Sequence, residues 1–155
     1  MLKLRWVPLC LSLACLSVPL FASKAPEKME VTGYVFARNA VLTPGQVDPT
    51  HLTRINYAFA NIQSGRMVVG GPADAQNFAL LTAMRNRHPG LAVLVSVGGW
   101  LWSTNFSDMA LTWESRRVFE WSVMEFLAQY DLDGLDIDWE YPGMPGAQGT
   151  CQYGC

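Results

Sequence analysis

Three acidic residues alternate with apolar ones near the end of the sequence, in the segment 131–142 (DLDGLDIDWEYP). The stretch 134–139 predicts a strand, and side chains alternate between the two faces of a strand. Asp136, Asp138 and Glu140 therefore share one face, about 6.5 to 7 Å apart. Carboxylates this close cannot all ionise cheaply, so we expect at least one pKa to rise. A carboxyl group with a raised pKa is what general acid catalysis at neutral pH requires.

An exposed edge strand or a calcium site could also explain this segment. An exposed face usually mixes Lys and Thr with acids, whereas this face carries acids alone. A calcium loop is rich in turn residues, whereas Leu135, Ile137 and Trp139 alternate with the acids here. These apolar side chains share the opposite face, which we expect to pack against helices. The pattern favours catalysis over both of these explanations.

A pair of glycines marks a second strand end, in the segment 96–100 (SVGGW). The run 91–97 before it is almost continuously apolar, which is typical of a strand buried on both faces of a parallel sheet. Gly98 and Gly99 let the backbone turn sharply and let a ligand approach, although an ordinary tight turn explains the pair taken alone. The segment is not a dinucleotide-binding motif, because a third glycine and a directly following helix are missing.

The rest of the chain alternates strands with helices. Strands are predicted over 31–36 and 54–60, a long glycine-containing loop follows, and helices are predicted over 74–87 and 112–129. Four apolar residues are expected to line one side of the second helix: Val118, Trp121, Phe126 and Leu127. Alternating strands and helices indicate parallel βαβ units, whose chemistry lies at the carboxyl ends of the strands.

Composition excludes several classes of protein. The 155 residues are 50% hydrophobic and 15% charged, with a formal net charge of -2. These values exclude a disordered tail and a polycationic nucleic-acid binder, so no nucleic-acid partner is expected. The length fits about one domain.

The first 23 residues have the order of a secretory signal peptide. Lys3 and Arg5 supply a basic start, the uncharged stretch 6–21 follows, and two small residues end the segment. A bilayer span needs about 20 apolar residues, which is more than this stretch offers. We therefore expect secretion, extracellular or periplasmic, and no membrane association once the leader is removed. An uncleaved N-terminal anchor would have the same residues at its start.

Two cysteines, Cys151 and Cys155, lie at the end of the sequence in the segment CQYGC. In an oxidising compartment, a local disulfide is the expected state, although two unpaired thiols are also compatible with the sequence. Half a metal site is a third possibility, but no His lies near it in the sequence. No metal is therefore expected.

The segment DGLDIDWEYP resembles the active-site strand of family-18 glycoside hydrolases, the chitinases. The family pattern D-x-x-D-x-D-x-E is met in full by Asp133, Asp136, Asp138 and Glu140. SVGGW resembles the motif on the family's preceding strand, and 33–34 and 57–60 resemble its first two strands. The resemblance runs from about Val31 to Gly143.

The resemblance implies a (β/α)8 barrel that cleaves β-1,4-linked N-acetylglucosamine polymers by substrate-assisted, retaining catalysis. It implies that Glu140 protonates the glycosidic oxygen and later activates water. Asp138 would orient the acetamido group and stabilise the oxazolinium cation, Asp136 would share a proton with Asp138, and Asp133 would support the loop structurally. The substrate-binding residues would be Tyr34, Phe59, Gly98, Gly99, Trp100 and Tyr141. Chitin or chito-oligosaccharides would be the partners of a monomer that needs no cofactor.

The length of the chain sets a limit on this barrel. Eight units need about 250 residues, and the segment 24–155 is about half as long. We therefore expect the N-terminal half of a truncated catalytic domain, with about four strands, active in a longer parent chain. A chitin-binding lectin of the same fold is disfavoured because Glu140 is present. An inactive fragment, or an endo-N-acetylglucosaminidase acting on glycoproteins, would also be compatible with this sequence.

Overall fold

The computed structural model describes residues 29–143, so the predicted leader over 1–23 and the cysteine pair Cys151 and Cys155 lie outside the described residues. The elements in chain order are β1 (Thr32–Phe36), β2 (Arg54–Gln63), β3 (Arg66–Val68), α1 (Asp74–Arg87), β4 (Ala92–Gly98), a 3-10 turn (Ser103–Asn105), α2 (Phe106–Leu111), α3 (Trp113–Tyr130) and β5 (Gly134–Asp138). In the described part of the chain, no helix is long and apolar enough to cross a membrane.

Four strands form a parallel sheet in the order β1-β2-β4-β5, and the short β3 pairs with β2 in the antiparallel direction. Helices fill the connections that return the chain from β2 to β4 and from β4 to β5. The predicted α/β class, with about four parallel strands of a barrel, is confirmed. Adjacent strands place Ser96 opposite Asp136 and Gly98 opposite Asp138.

A hydrogen bond between the two ends of the sheet shows that the sheet is strongly curved. Neighbouring strands lie about 4.8 Å apart, so β1 and β5 would be about 14 Å apart in a flat sheet. Yet the Tyr34 hydroxyl on β1 donates to Asp136 Oδ2 on β5 at 2.9 Å. The curvature gives the sheet a concave face, and that face carries the predicted carboxylates.

The core lies between the convex face of the sheet and the helices. Val93, Val95 and Val97 of β4 are fully buried there, as expected for the central apolar run. Helix α1 contributes Phe78 to this layer and α3 contributes Phe126, whose ring centroid lies 5.8 Å from that of Phe78. This packing fixes the strands, and so the positions of their carboxyl ends.

The predicted buried side of the second long helix is wrong in part. Phe126 is buried, but Val118 is 42% exposed and Trp121 is 61% exposed. The buried stripe of α3 instead begins at Phe119 and continues through Val123. These residues and Phe126 recur at the i, i+4, i+7 spacing of one helix face, whereas Trp121 lies off that face.

The opposite face of β5 is less covered than expected. Trp139 and Leu135 pack against the core, but the Ile137 side chain is 58% exposed. Within residues 29–143, β5 pairs only with β4 and is an edge strand, which leaves this side chain in solvent. The sequence also missed β3 and α2, because segments this short carry little periodicity.

Candidate active site

The Asp136 carboxylate is held by two hydroxyl groups from other strands. Ser96 Oγ donates to Asp136 Oδ2 at 2.7 Å, and Tyr34 Oη donates to the same oxygen at 2.9 Å. Ser96 reaches Asp136 because the parallel register of β4 and β5 places them side by side. These two hydroxyl groups fix the position of the Asp136 carboxyl group on the concave face.

The Asp138 carboxyl group lies one step further along the same face of β5. Burial raises its pKa above the usual 3.8, and the nearby negative charge of Asp136 raises it further. The expectation that at least one of the clustered carboxyls has a raised pKa is confirmed at Asp138.

The backbone of Glu140 is tied to a buried serine, while its side chain remains exposed. The Glu140 amide donates to Ser103 Oγ at 3.2 Å. Ser103 is 1% exposed, and its hydroxyl lies 2.9 Å from the carbonyl oxygens of both Gly99 and Asp138. One side chain thus fastens the end of β5 to the turn after β4. Glu140 lines a cavity next to this fixed backbone.

The glycine pair after β4 is required by close packing as well as by backbone conformation. Gly98 has φ 111° and Gly99 has φ 74°, a region that other residues rarely adopt. A Cβ atom on Gly98 would collide with the Asp138 carbonyl oxygen. A Cβ atom on Gly99 would lie 3.0 Å from the Phe59 ring. The Gly99 amide donates to the Asp138 carbonyl at 2.9 Å, so the pair fixes the carboxyl end of β5 against β4.

A cavity of about 500 Å3 opens beside these strand ends. Its lining includes five aromatic residues: Phe36, Tyr57, Phe59, Trp100 and Trp102. Gly98, Gly99 and Glu140 also line it. A cavity with aromatic walls and one reachable carboxyl group suits a sugar, whose C–H faces pack on rings while its hydroxyls find polar partners.

The structure brings five of the predicted site residues to this cavity: Phe59, Gly98, Gly99, Trp100 and Glu140. Two others lie next to it. Tyr34 is at the β1 end of the concave face, where its hydroxyl contacts Asp136. Tyr141 is buried next to Trp100. Its hydroxyl donates to the Trp100 carbonyl at 2.8 Å, and the two rings pack edge to face with centroids 5.5 Å apart.

Asp133 lies at the other end of β5 from the cavity. Its Oδ2 accepts from the Val93 amide at 2.7 Å, and its Oδ1 accepts from Arg85 Nη1 at 3.0 Å. These contacts connect the start of β5 to β4 and to helix α1. In the segment 29–143, no three His, Cys, Asp or Glu side chains are grouped closely enough to hold a metal ion.

Sequence reasoning missed the two serines that organise the site. Ser96 could have been found from the register, because it shares the concave face with Asp136 on the neighbouring strand. Ser103 gave no signal, since its importance depends on a 3-10 turn that returns it to the ends of β4 and β5.

Comparisons with known proteins agree with the geometry. The family model described as Glycosyl hydrolases family 18 matches residues 30–150. Chitinase A1 of Niallia circulans is 31% identical over 86% of this chain and 27% of its own length. The chain spans about a quarter of the length of the curated relatives it matches.

Solved structures show the same similarity. The chitinase domain of the spore coat protein CotE from Clostridium difficile is 38% identical, with a TM-score of 0.66 over 81% of this chain and 34% of that one. Human YKL-39, described as a pseudo-chitinase with retained chitooligosaccharide binding properties, is 25% identical, with a TM-score of 0.66 over 77% and 35% of the two chains. The resemblance found in the sequence is confirmed, and the chain belongs to glycosyl hydrolase family 18.

Proposed function

We propose that this chain carries the acid–base centre of a chitinase-type glycoside hydrolase, which cleaves β-1,4-linked N-acetylglucosamine polymers. The observation that carries the proposal is the position of Glu140. Its backbone is fixed by Ser103, and it lines an aromatic cavity just beyond the end of β5, the strand that carries Asp136 and Asp138. Catalytic carboxyls at the carboxyl end of a barrel strand are typical of this fold.

In the proposed reaction, Glu140 protonates the glycosidic oxygen as the bond to the leaving sugar breaks. The carbonyl oxygen of the substrate's own N-acetyl group attacks the anomeric carbon, giving a cyclic oxazolinium ion. Glu140, now ionised, removes a proton from water as the water attacks the same carbon. Two successive displacements retain the configuration of the sugar.

The two aspartates support this reaction electrostatically. Asp136 is held by Ser96 and Tyr34, while burial raises the pKa of Asp138. Asp138 orients the acetamido group by accepting a hydrogen bond from its nitrogen. As the oxazolinium ion forms, the negative charge shared by the pair stabilises the positive charge on the ring.

Replacing Glu140 by Gln tests the proposal. The amide has nearly the same shape but cannot transfer the proton, so hydrolysis of chito-oligosaccharides should fall by about 10²- to 10⁴-fold. Binding of an N-acetylglucosamine tetramer, measured by calorimetry, should survive. Glu120→Gln on the exposed face of α3 is the matched control and should retain full hydrolysis. Undiminished turnover in Glu140→Gln would contradict the assigned role.

A chitin-binding protein without turnover is the second candidate, because YKL-39 is described as a pseudo-chitinase that retains oligosaccharide binding. Measuring both binding and hydrolysis of the tetramer separates a chitinase from such a binding protein. A chain that binds the tetramer but hydrolyses it no faster than Glu140→Gln is a lectin-like binder. A chain that releases intact N-glycans from glycoproteins, but does not cleave chitin oligomers, is an endo-N-acetylglucosaminidase.

We also propose that the protein is secreted and acts as a monomer outside the cytoplasm. The order of residues 1–23 supports secretion, since a basic start, an apolar stretch and small residues make up a signal peptide. The intact mass of the protein recovered from the culture medium of its native host should lack this segment. A protein that retains residues 1–23 in a membrane fraction would contradict secretion.

A further inference from the structure

A single cation faces the cavity in the part of the chain that the structure describes. Arg38 is the one lysine or arginine among the lining residues within 29–143. Its guanidinium carbon lies 5.7 Å from the centroid of the Phe36 ring, within the range of a cation–π contact. Phe36 in turn lies 6.0 Å from Phe59. The guanidinium is thus within cation–π distance of one aromatic residue that lines the cavity.

The turn that presents Arg38 has an unfavourable backbone conformation. Arg38 has φ 47° and Asn39 has φ 65°, in the left-handed region. The Ala40 amide donates to the Ala37 carbonyl at 2.9 Å, which closes the turn. Asparagine tolerates this conformation, but arginine is rarely found in it. An uncommon conformation persists only where the surrounding structure enforces it.

A buried polar network enforces the turn. Asn77 of α1 is fully buried, and its side chain donates to the Ala40 carbonyl (2.9 Å) and accepts from the Leu42 amide (2.8 Å). The same amide nitrogen donates to the Tyr57 hydroxyl at 2.9 Å, which donates to Asp74 Oδ1 at 2.7 Å. The position of Arg38 is therefore determined by the core rather than by the loop alone.

We infer that Arg38 is a specificity-determining residue, which makes the cavity select N-acetylated sugar units over units that carry a free amine. The inference rests on the proposed function. A deacetylated unit bears an ammonium group at mildly acidic pH, and Arg38 repels it. An acetylated unit is neutral, and its carbonyl oxygen can accept a hydrogen bond from the guanidinium.

The carboxyl groups of the site act in the opposite direction. Glu140 and Asp74, which line the cavity, attract an ammonium group, and so does Asp136 on the concave face of the sheet. No acidic side chain within residues 29–143 forms an ion pair with Arg38, so its charge is not neutralised from that part of the chain. Removing Arg38 should therefore leave a cavity that tolerates amines.

The test compares two ligands and a charge series in the full chain. Dissociation constants are measured at mildly acidic pH for an N-acetylglucosamine tetramer and for its fully deacetylated counterpart. Every chain in this test, the one called wild type included, also carries Glu140→Gln, so that the acetylated tetramer is bound but not cleaved. The ratio of the deacetylated to the acetylated constant should fall about three- to tenfold in Arg38→Gln. It should fall further in Arg38→Glu, and Arg38→Lys, which retains the charge, should preserve the ratio. Added salt should reduce the difference between the wild-type ratio and the Arg38→Gln ratio, because salt screens the charge of the guanidinium.

Arg117→Gln is the matched control. Arg117 is also exposed, and its guanidinium also lies over an aromatic ring, 5.4 Å from the centroid of Trp113. Unlike Arg38, it lies on α3, away from the cavity. Its ratio should equal that of the wild type. The inference would be overturned if the Arg38→Gln ratio equalled the wild-type ratio, or if the Arg38→Lys ratio fell as far as that of Arg38→Gln. Either result would leave the proposed function standing. Failure of the wild type to bind the acetylated tetramer would overturn both.

Discussion

The two sides of the cavity hold their carboxyl groups in opposite ways. On one side, the ends of β4 and β5 leave the Glu140 carboxyl exposed and fasten only its backbone, through Ser103. On the other side, Asp74 is 4% exposed and accepts hydrogen bonds from the Tyr57 hydroxyl and from the amides of Gly70 and Gly71. A carboxylate surrounded by donors supports structure, whereas one that is held only by its backbone remains available to a substrate.

The largest effect on stability should come from a substitution at the glycine pair, on the side of the cavity that holds Glu140. Gly98→Ala forces φ 111° on a residue with a side chain and drives its Cβ into the Asp138 carbonyl. The free energy of unfolding, measured in urea, should therefore fall by roughly 3 to 5 kcal/mol. Gly45→Ala isolates the backbone strain, since φ there is 83° with nothing within 4 Å of the added atom. Its loss should be about 1 kcal/mol. Equal losses at both positions would rule out the collision.

Breaking the second side should have the next largest effect. Asp74→Ala leaves a buried hydroxyl and two backbone amides without their acceptor, which should lower the free energy of unfolding by roughly 3 kcal/mol. Glu120→Ala is the control, because Glu120 lies on the exposed face of α3. Surface changes of that kind stay within about 0.5 kcal/mol. A loss below that level at Asp74 would contradict the structural role given to its carboxylate.

Ser103→Ala sharpens the comparison, because it should affect chemistry more than stability. The free energy of unfolding should fall by about 1 to 2 kcal/mol, since a buried hydroxyl contact is lost at three backbone groups. Steady-state kinetics should show a kcat reduced about tenfold with KM little changed, because Glu140 is misplaced by a small distance. If kcat and KM instead change together, Ser103 acts on substrate binding.

The smallest effect concerns the pH dependence of stability at Asp138. Its pKa is raised in the folded chain, so its contribution to stability is present in acid and is lost as pH rises from 3.8 through the folded value. Asp138→Asn removes the titrating group, so the variant does not lose this stability as the pH rises. The melting temperature of the variant relative to the wild type should therefore rise over that pH window and then level off. A relative melting temperature that falls over the same window would mean that the shift has the opposite sign.

The sequence predicted the parts of this molecule that local pattern controls. The central strand was evident from its apolar run, and α1 spans the predicted residues 74–87. The shared face of Asp136 and Asp138 followed from the period of a strand. Each of these features depends on residues close together in the chain.

The features that the sequence did not predict depend on distant contacts. The buried face of α3 was mistaken because Trp121 is apolar yet lies on the exposed side. The roles of Asp74, Tyr57 and Asn77 could not be seen, since their hydrogen bonds join β2 to α1 and to the loop after β1. Polar residues in such a network look like ordinary surface residues until the packing buries them.

The hydrogen bond between Tyr34 and Asp136 also bears on the order of folding. It joins residues separated by 102 positions, whereas Ser96 and Asp136 are separated by 40. Contacts of long sequence separation form late, because the entropy of closing the intervening loop must first be overcome. The concave face therefore acquires its full set of donors only after β1, β2, β4 and β5 have assembled. A nascent or partly folded chain holds all three carboxyls but not yet the electrostatic environment that distinguishes them.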